Sequence, residues 1–125
     1  MEAKSRTGGR IEIRLPIRVK WDDEKSKTQV VEEGTTENIG PNGALVHLPR
    51  QLPQVGSKVQ LVIMELKGKE IVEVGAQVLR IERNAAHPLA ALKLTESMDE
   101  WLEKVWANNS LIESFNEDAE KLYED

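Results

Sequence analysis

Along residues 11–21 apolar side chains occupy every odd position (Ile11, Ile13, Leu15, Ile17, Val19, Trp21), and the even positions carry Glu12, Arg14, Pro16, Arg18 and Lys20. Six consecutive matches to a period of two predict a half-buried strand, because successive side chains of an extended chain point to opposite faces. Pro16 has no N–H to give to a ladder, so an edge, a bulge or a bend is expected there. Residues 22–26 read as a polar hairpin turn, followed by β-prone stretches at 28–31 and 35–37. A turn over residues 38–43 leads into a short strand at 44–48, and residues 49–57, with two prolines and Gly56, form a loop. Residues 58–66 predict a strand with Val59, Leu61 and Ile63 on one face, and Lys67-Gly68-Lys69 a hairpin into a long strand at 70–82. Residues 84–88 turn the chain into a last strand at 89–94. Six or so short strands joined by turns predict a small antiparallel barrel, whose closure leaves no free sheet edge.

The pattern then changes period. Ser97-Met98-Asp99-Glu100 has the form of a capping box, with Ser97 as N-cap and Glu100 three residues on. Trp101, Leu102, Val105 and Trp106 follow as the apolar stripe of a helix, the seam by which it packs on the barrel. Asn108 and Asn109 stop it, and Ser110-Leu111-Ile112-Glu113 repeats the capping pattern at the head of a second acidic helix that runs to about Tyr123. Strands first and helices last make a mainly β, α+β chain: a barrel over residues 1–95 and an acidic helical extension over 96–125.

At 125 residues the chain has the length of one domain with a short appendage, and 39% hydrophobic residues supply a modest core. No apolar run approaches the roughly 20 residues that span a bilayer, and the opening residues lack the apolar segment of a secretion signal. Zero cysteines exclude disulfides and thiolate metal sites, so a cytoplasmic location without membrane insertion is expected. The net charge of −5 argues against binding a nucleic-acid polymer, and the one Phe and one Tyr both lie in the acidic tail, away from the basic residues that single-strand binding needs beside them. Charge is unevenly spread. Residues 1–20 hold six Lys/Arg against two Asp/Glu, whereas residues 96–125 hold two against ten, an arrangement that lets head and tail attract one another or serve different partners.

Two short pieces carry the chemistry. Arg6-Thr7-Gly8-Gly9-Arg10 places two arginines around a pair of glycines, and Asn38-Ile39-Gly40-Pro41-Asn42-Gly43 is a polar turn between extended stretches. The planar fork of arginine suits phosphate oxygens and the O6/N7 edge of guanine. A turn with Asn and Gly supplies amide groups and room for a ligand to approach the main chain. Together they suggest a site for a small guanine-containing anion. Arg14 and Arg18 repeat the spacing, but on a strand they stand about 13 Å apart on one face, a geometry for a solvated surface. His47 and His87 lie far apart in sequence and read as surface or half-buried residues, and no metal-binding or catalytic motif is present. The carboxylates cluster in the tail as exposed helical faces. No catalysis, metal or cofactor is expected.

The two pieces resemble the signature of PilZ domains, receptors for cyclic di-GMP, whose motifs read RxxxR and then [D/N]xSxxG. The order of elements that follows, an Ile-Glu-Ile-Arg-Leu-Pro-Ile-Arg-Val strand, Ala-Leu-Val-His-Leu-Pro and a hairpin of two long strands, extends the resemblance over residues 6–95. The resemblance implies a six-stranded β-barrel with the RxxxR segment crossing one side. It also implies that Arg6 and Arg10 engage phosphate and guanine of cyclic di-GMP, that Asn38 hydrogen-bonds guanine, and that Gly43 is the closing glycine. Gly40 stands where the family has serine and removes one hydroxyl contact. The expected function is a cyclic di-GMP receptor that signals through ligand-induced ordering of its N-terminal segment to a downstream protein partner. The alternative is a PilZ-like adaptor that binds no nucleotide and works through protein contacts.

Overall fold

The computed structural model describes residues 9–109, so Arg6 and the expected second helix at 110–123 lie outside the described residues. Six strands run β1 (Pro16–Asp23), β2 (Thr28–Gly40), β3 (Gly43–His47), β4 (Lys58–Met64), β5 (Glu70–Glu82) and β6 (Leu89–Leu94). They close into an antiparallel barrel in the order β1-β2-β3-β6-β5-β4. β1 pairs with β2 on one side and with β4 on the other, so every strand has two neighbours. The inward row is that expected from the period of two: Ile17, Val19, Val46, Leu61, Ile63, Val74, Val78 and Leu92 are buried together.

Two features of the strand pattern differ from expectation. β2 is one continuous strand of 13 residues, because Glu32–Gly34 between the β-prone stretches pair with Ile17–Val19 of β1. The alternation from Ile11 is real, with Ile11 2% exposed, but the regular strand starts only at Pro16 and Ile11 makes an isolated bridge to Ile39. Thr36, the one buried polar residue among those described, explains the gap. Its hydroxyl donates to the Ile13 carbonyl and accepts from the Leu15 amide at 2.8 Å, while its own amide donates to the Leu15 carbonyl at 3.0 Å. One side chain thus replaces part of a ladder, and β2 bulges between Thr36 and Asn38 at the same place. A bulge leaves one residue unpaired and re-aims its neighbours.

After β6 the chain enters a short helix, α1 (Met98–Trp101), continued by a π-helical segment (Leu102–Trp106). Ser97 precedes α1 but is not its side-chain cap. It sits in the left-handed region at φ 60° and makes no capping hydrogen bond, a correction to the capping-box reading. The apolar stripe is narrower than expected: Trp101 and Val105 join the barrel core, Trp106 is half-buried, and Leu102 faces solvent at 39% exposure. Adjacent residues of a helix point to different sides, so Trp101 and Val105, four positions apart, share the packed face that Leu102 misses.

Candidate functional site

The N-terminal segment and the β2–β3 hairpin meet on one side of the barrel. Ile11 and Ile39 exchange both backbone hydrogen bonds, at 2.8 and 2.9 Å, and this pins Arg10 beside the end of β2. There the Arg10 guanidinium donates to Asn38 Oδ1 at 2.5 Å. The bond joins the two motif pieces 28 residues apart in sequence. Among the described residues the other N–H groups of the fork and the Asn38 side-chain N–H groups make no further bond. Arg6 falls outside the described residues.

The turn is tighter than the stretch expected from sequence. Asn38, Ile39 and Gly40 still belong to β2, Gly40 pairs with Gly43, and only Pro41 and Asn42 turn. The two paired glycines serve different ends. A Cβ on Gly43 would stand 2.4 Å from the Leu92 carbonyl oxygen, so β6 passes too close for any side chain. A Cβ on Gly40 would meet the Gly9 oxygen at 3.6 Å, the Gly43 oxygen at 3.8 Å and Arg10 Cγ at 3.9 Å, which are ordinary contacts. A serine fits at position 40, and its hydroxyl would lie beside Arg10. What Gly40 does supply is its carbonyl, which accepts a 2.8 Å hydrogen bond from the buried Trp101 indole N–H. The helix after the barrel is therefore bonded to the motif itself, a contact between residues 61 apart that no sequence pattern pairs.

A second cluster adjoins the first. His47 and His87 stack with ring centroids 4.1 Å apart. His47 Nδ1 lies 3.0 Å from the Pro88 carbonyl and His87 Nε2 2.7 Å from Glu37 Oε2, while Arg14 reaches the other Glu37 oxygen at 3.4 Å. The sequence separation of the histidines, 40 residues, concealed this pair, which pins the β5–β6 loop to β3. Arg14 and Arg18 are spread over the surface in ion pairs with Glu37 and Glu33 and do not converge. Among the described residues no group of three or more His, Cys, Asp or Glu is placed to hold a metal ion. A concavity of about 320 Å³ between Leu48, Arg50, Leu52, Arg83 and Pro88 shares no residue with the motif cluster. No described helix is long and apolar enough to cross a membrane.

Comparison with known proteins bears on this surface. Among solved structures, the PilZ domain of CeSA from a cellulose-synthesizing bacterium is similar at 19% identity and a TM-score of 0.56, covering 80% of this chain and 97% of that one. The inhibitor of motility MotI/DgrA of Bacillus subtilis is similar at 20% identity and a TM-score of 0.57, with 83% of this chain and 50% of that chain covered. YcgR of Escherichia coli, solved in complex with c-di-GMP, gives 16% identity and a TM-score of 0.63 over 90% of this chain and 48% of that chain. The chain thus spans about half the length of the last two. No curated protein matches by sequence. The sequence model of the PilZ domain matches residues 4–104, which takes in the barrel, Arg10, the hairpin of Asn38 and Gly43, and Trp101: the chain belongs to the PilZ domain family.

Proposed function

We propose that this PilZ domain is a receptor for cyclic di-GMP, with Arg6, Arg10, Asn38, Gly40 and Gly43 forming the ligand surface. The observation that carries the reading is the bond from Arg10 to Asn38 beside Gly40, since it brings the phosphate- and guanine-directed groups of both motifs to one place. Arg6 and Arg10 take phosphate and guanine edges, and Asn38 takes the guanine. Because Asn38 is neutral, it adds no negative charge beside the ligand phosphates. Gly43 keeps β3 against β6, and Gly40 leaves the serine position bare.

Binding signals by ordering the N-terminal segment around the ligand, from Arg6 to the Arg10 already held beside Asn38, an order–disorder device of the kind many regulatory domains use. The Trp101–Gly40 bond gives the change a route into the helix, so residues 1–95 act as receptor and 96–125 as output toward a protein partner in the cytoplasm. No catalytic step is assigned to the chain. Gly40 favours one rival, an adaptor without nucleotide, because the hydroxyl of the family pattern is absent.

Calorimetric titration with cyclic di-GMP separates the two. The expected outcome is micromolar or tighter binding that Arg10→Ala and Asn38→Ala each weaken and Arg6→Ala/Arg10→Ala abolishes. Gly40→Ser should then bind about three- to tenfold tighter, the worth of one neutral hydrogen bond. Absence of heat for both the native chain and Gly40→Ser would leave the adaptor as the function.

A further inference from the structure

Pairing registers lay out the outer face of the barrel as rows that cross the strands. The Ile11–Ile39 bridge sets Arg10 beside Gly40; Gly40 pairs with Gly43, Gly43 with Lys93, and Lys93 with Gln77. In the next row Asn38 pairs with Leu45, Leu45 with Ala91, and Ala91 with Arg80. Directly paired residues lie on one face of a sheet. Their alternating neighbours Ile39, Ala44, Leu92 and Leu94 are buried in the core, so Lys93 points outward, and it is exposed.

The first row therefore holds a cation at each end, and Gly40 and Gly43 between them raise no side chain. Strand spacing of about 4.8 Å places the Lys93 backbone roughly 10 Å from Gly40 and roughly 14 Å from Arg10. The flexible stems of arginine and lysine each span about half of that gap. Neither charge is compensated among the described residues: Arg10 is bonded to the neutral Asn38, and Lys93 has no ion pair, whereas Arg14, Arg18, Lys20 and Arg80 each have a carboxylate. Two cations flanking a strip of backbone that raises no side chain, its Gly40 and Gly43 themselves buried, suit a ligand with two phosphates better than one with a single phosphate.

Resting on the receptor reading, we propose that Lys93 is a further ligand-binding residue, holding one phosphate of the cyclic dinucleotide while Arg10 holds the other. Its charge-assisted contact offsets the hydroxyl that Gly40 lacks. The test is calorimetric titration of cyclic di-GMP into the native chain, Lys93→Gln, Lys93→Arg and, as a control on β4, Lys58→Gln. Lys93→Gln should weaken binding roughly tenfold or more, the worth of a hydrogen bond to a charged group. Lys93→Arg should stay within about threefold of the native chain, Lys58→Gln should match it, and all four should melt at the same temperature. Binding by Lys93→Gln equal to that of the native chain overturns the inference and leaves the receptor intact. An equal loss in Lys58→Gln overturns it too, since the effect would then be one of overall charge. A native chain that fails to bind overturns both readings together.

Discussion

Adding one methyl group at each of two paired glycines tests the packing at the hairpin without reference to any ligand. Gly40→Ala and Gly43→Ala make the same chemical change at residues that face each other across the β2–β3 hairpin. Neither glycine has a positive φ, so alanine strains neither backbone. Both variants lose the same unfolded-chain freedom, a gain of about 0.4–1 kcal/mol that cancels when they are compared. What remains is contact. At Gly40 the new Cβ stands no closer than 3.6 Å to any neighbour, whereas at Gly43 it stands 2.4 Å from the Leu92 carbonyl oxygen, a backbone atom that no rotamer change can move. Relieving that overlap requires β3 and β6 to part by about an ångström, and overpacking of this kind costs about 1–3 kcal/mol. Urea denaturation followed by tryptophan fluorescence should give Gly40→Ala a midpoint at or above that of the native chain. Gly43→Ala should be about 1–3 kcal/mol less stable than Gly40→Ala, with an unchanged slope. Equal stabilities for the two variants would refute the reasoning, because the close approach of β6 to Gly43 would then carry no energetic weight.

Other expectations concern buried polar atoms. Thr36→Val removes a hydroxyl that both donates to Ile13 and accepts from Leu15, leaving two part-buried backbone groups unpaired. Each such group costs about 1–3 kcal/mol, and Thr36→Ser should recover most of the loss in the same denaturation assay. Trp101→Phe keeps most of the apolar volume but removes one of the hydrogen bonds to the Gly40 carbonyl, which predicts a loss of about 0.5–1.5 kcal/mol. The same variant should perturb the amide resonances of Gly40 and Gly43, while a loss of stability with those resonances unmoved would show that Trp101 acts through volume alone.

Where alternation and flanking turns agreed, the sequence was enough to place an element. β5 and β6 have the bounds that alternation and the flanking turns at Lys67-Gly68-Lys69 and residues 84–88 imply. Arg10 and Asn38 were legible as neighbours because each sits in one of the two pieces of the PilZ signature, and the bond between them joins those pieces. Partnerships set by register alone were not. Thr36 reads as one more β-prone residue until Ile13 and Leu15, 23 and 21 positions earlier, are laid against it. The stacking of His47 on His87 and the row from Arg10 to Lys93 exist only once three separate pairings are fixed. Ser97 misled because the capping-box pattern specifies side chains, whereas the backbone at that residue turns left-handed to leave β6.

The way Thr36 holds residues 13 and 15 has a consequence for motion. Segment 9–15 is fastened by the two Ile11–Ile39 bonds and the three made by Thr36, and only Ile11 within it is fully buried, whereas β1 is laddered on both sides. Such a segment forms a separate cooperative unit that opens at a lower free energy than the barrel it lies on. Amide hydrogen exchange at Ile11 and Leu15 should then outpace exchange at Val19, two turns of the pleat away. The part of the molecule that presents Arg10 is thus free to unzip and reseal while the barrel beneath it stays folded.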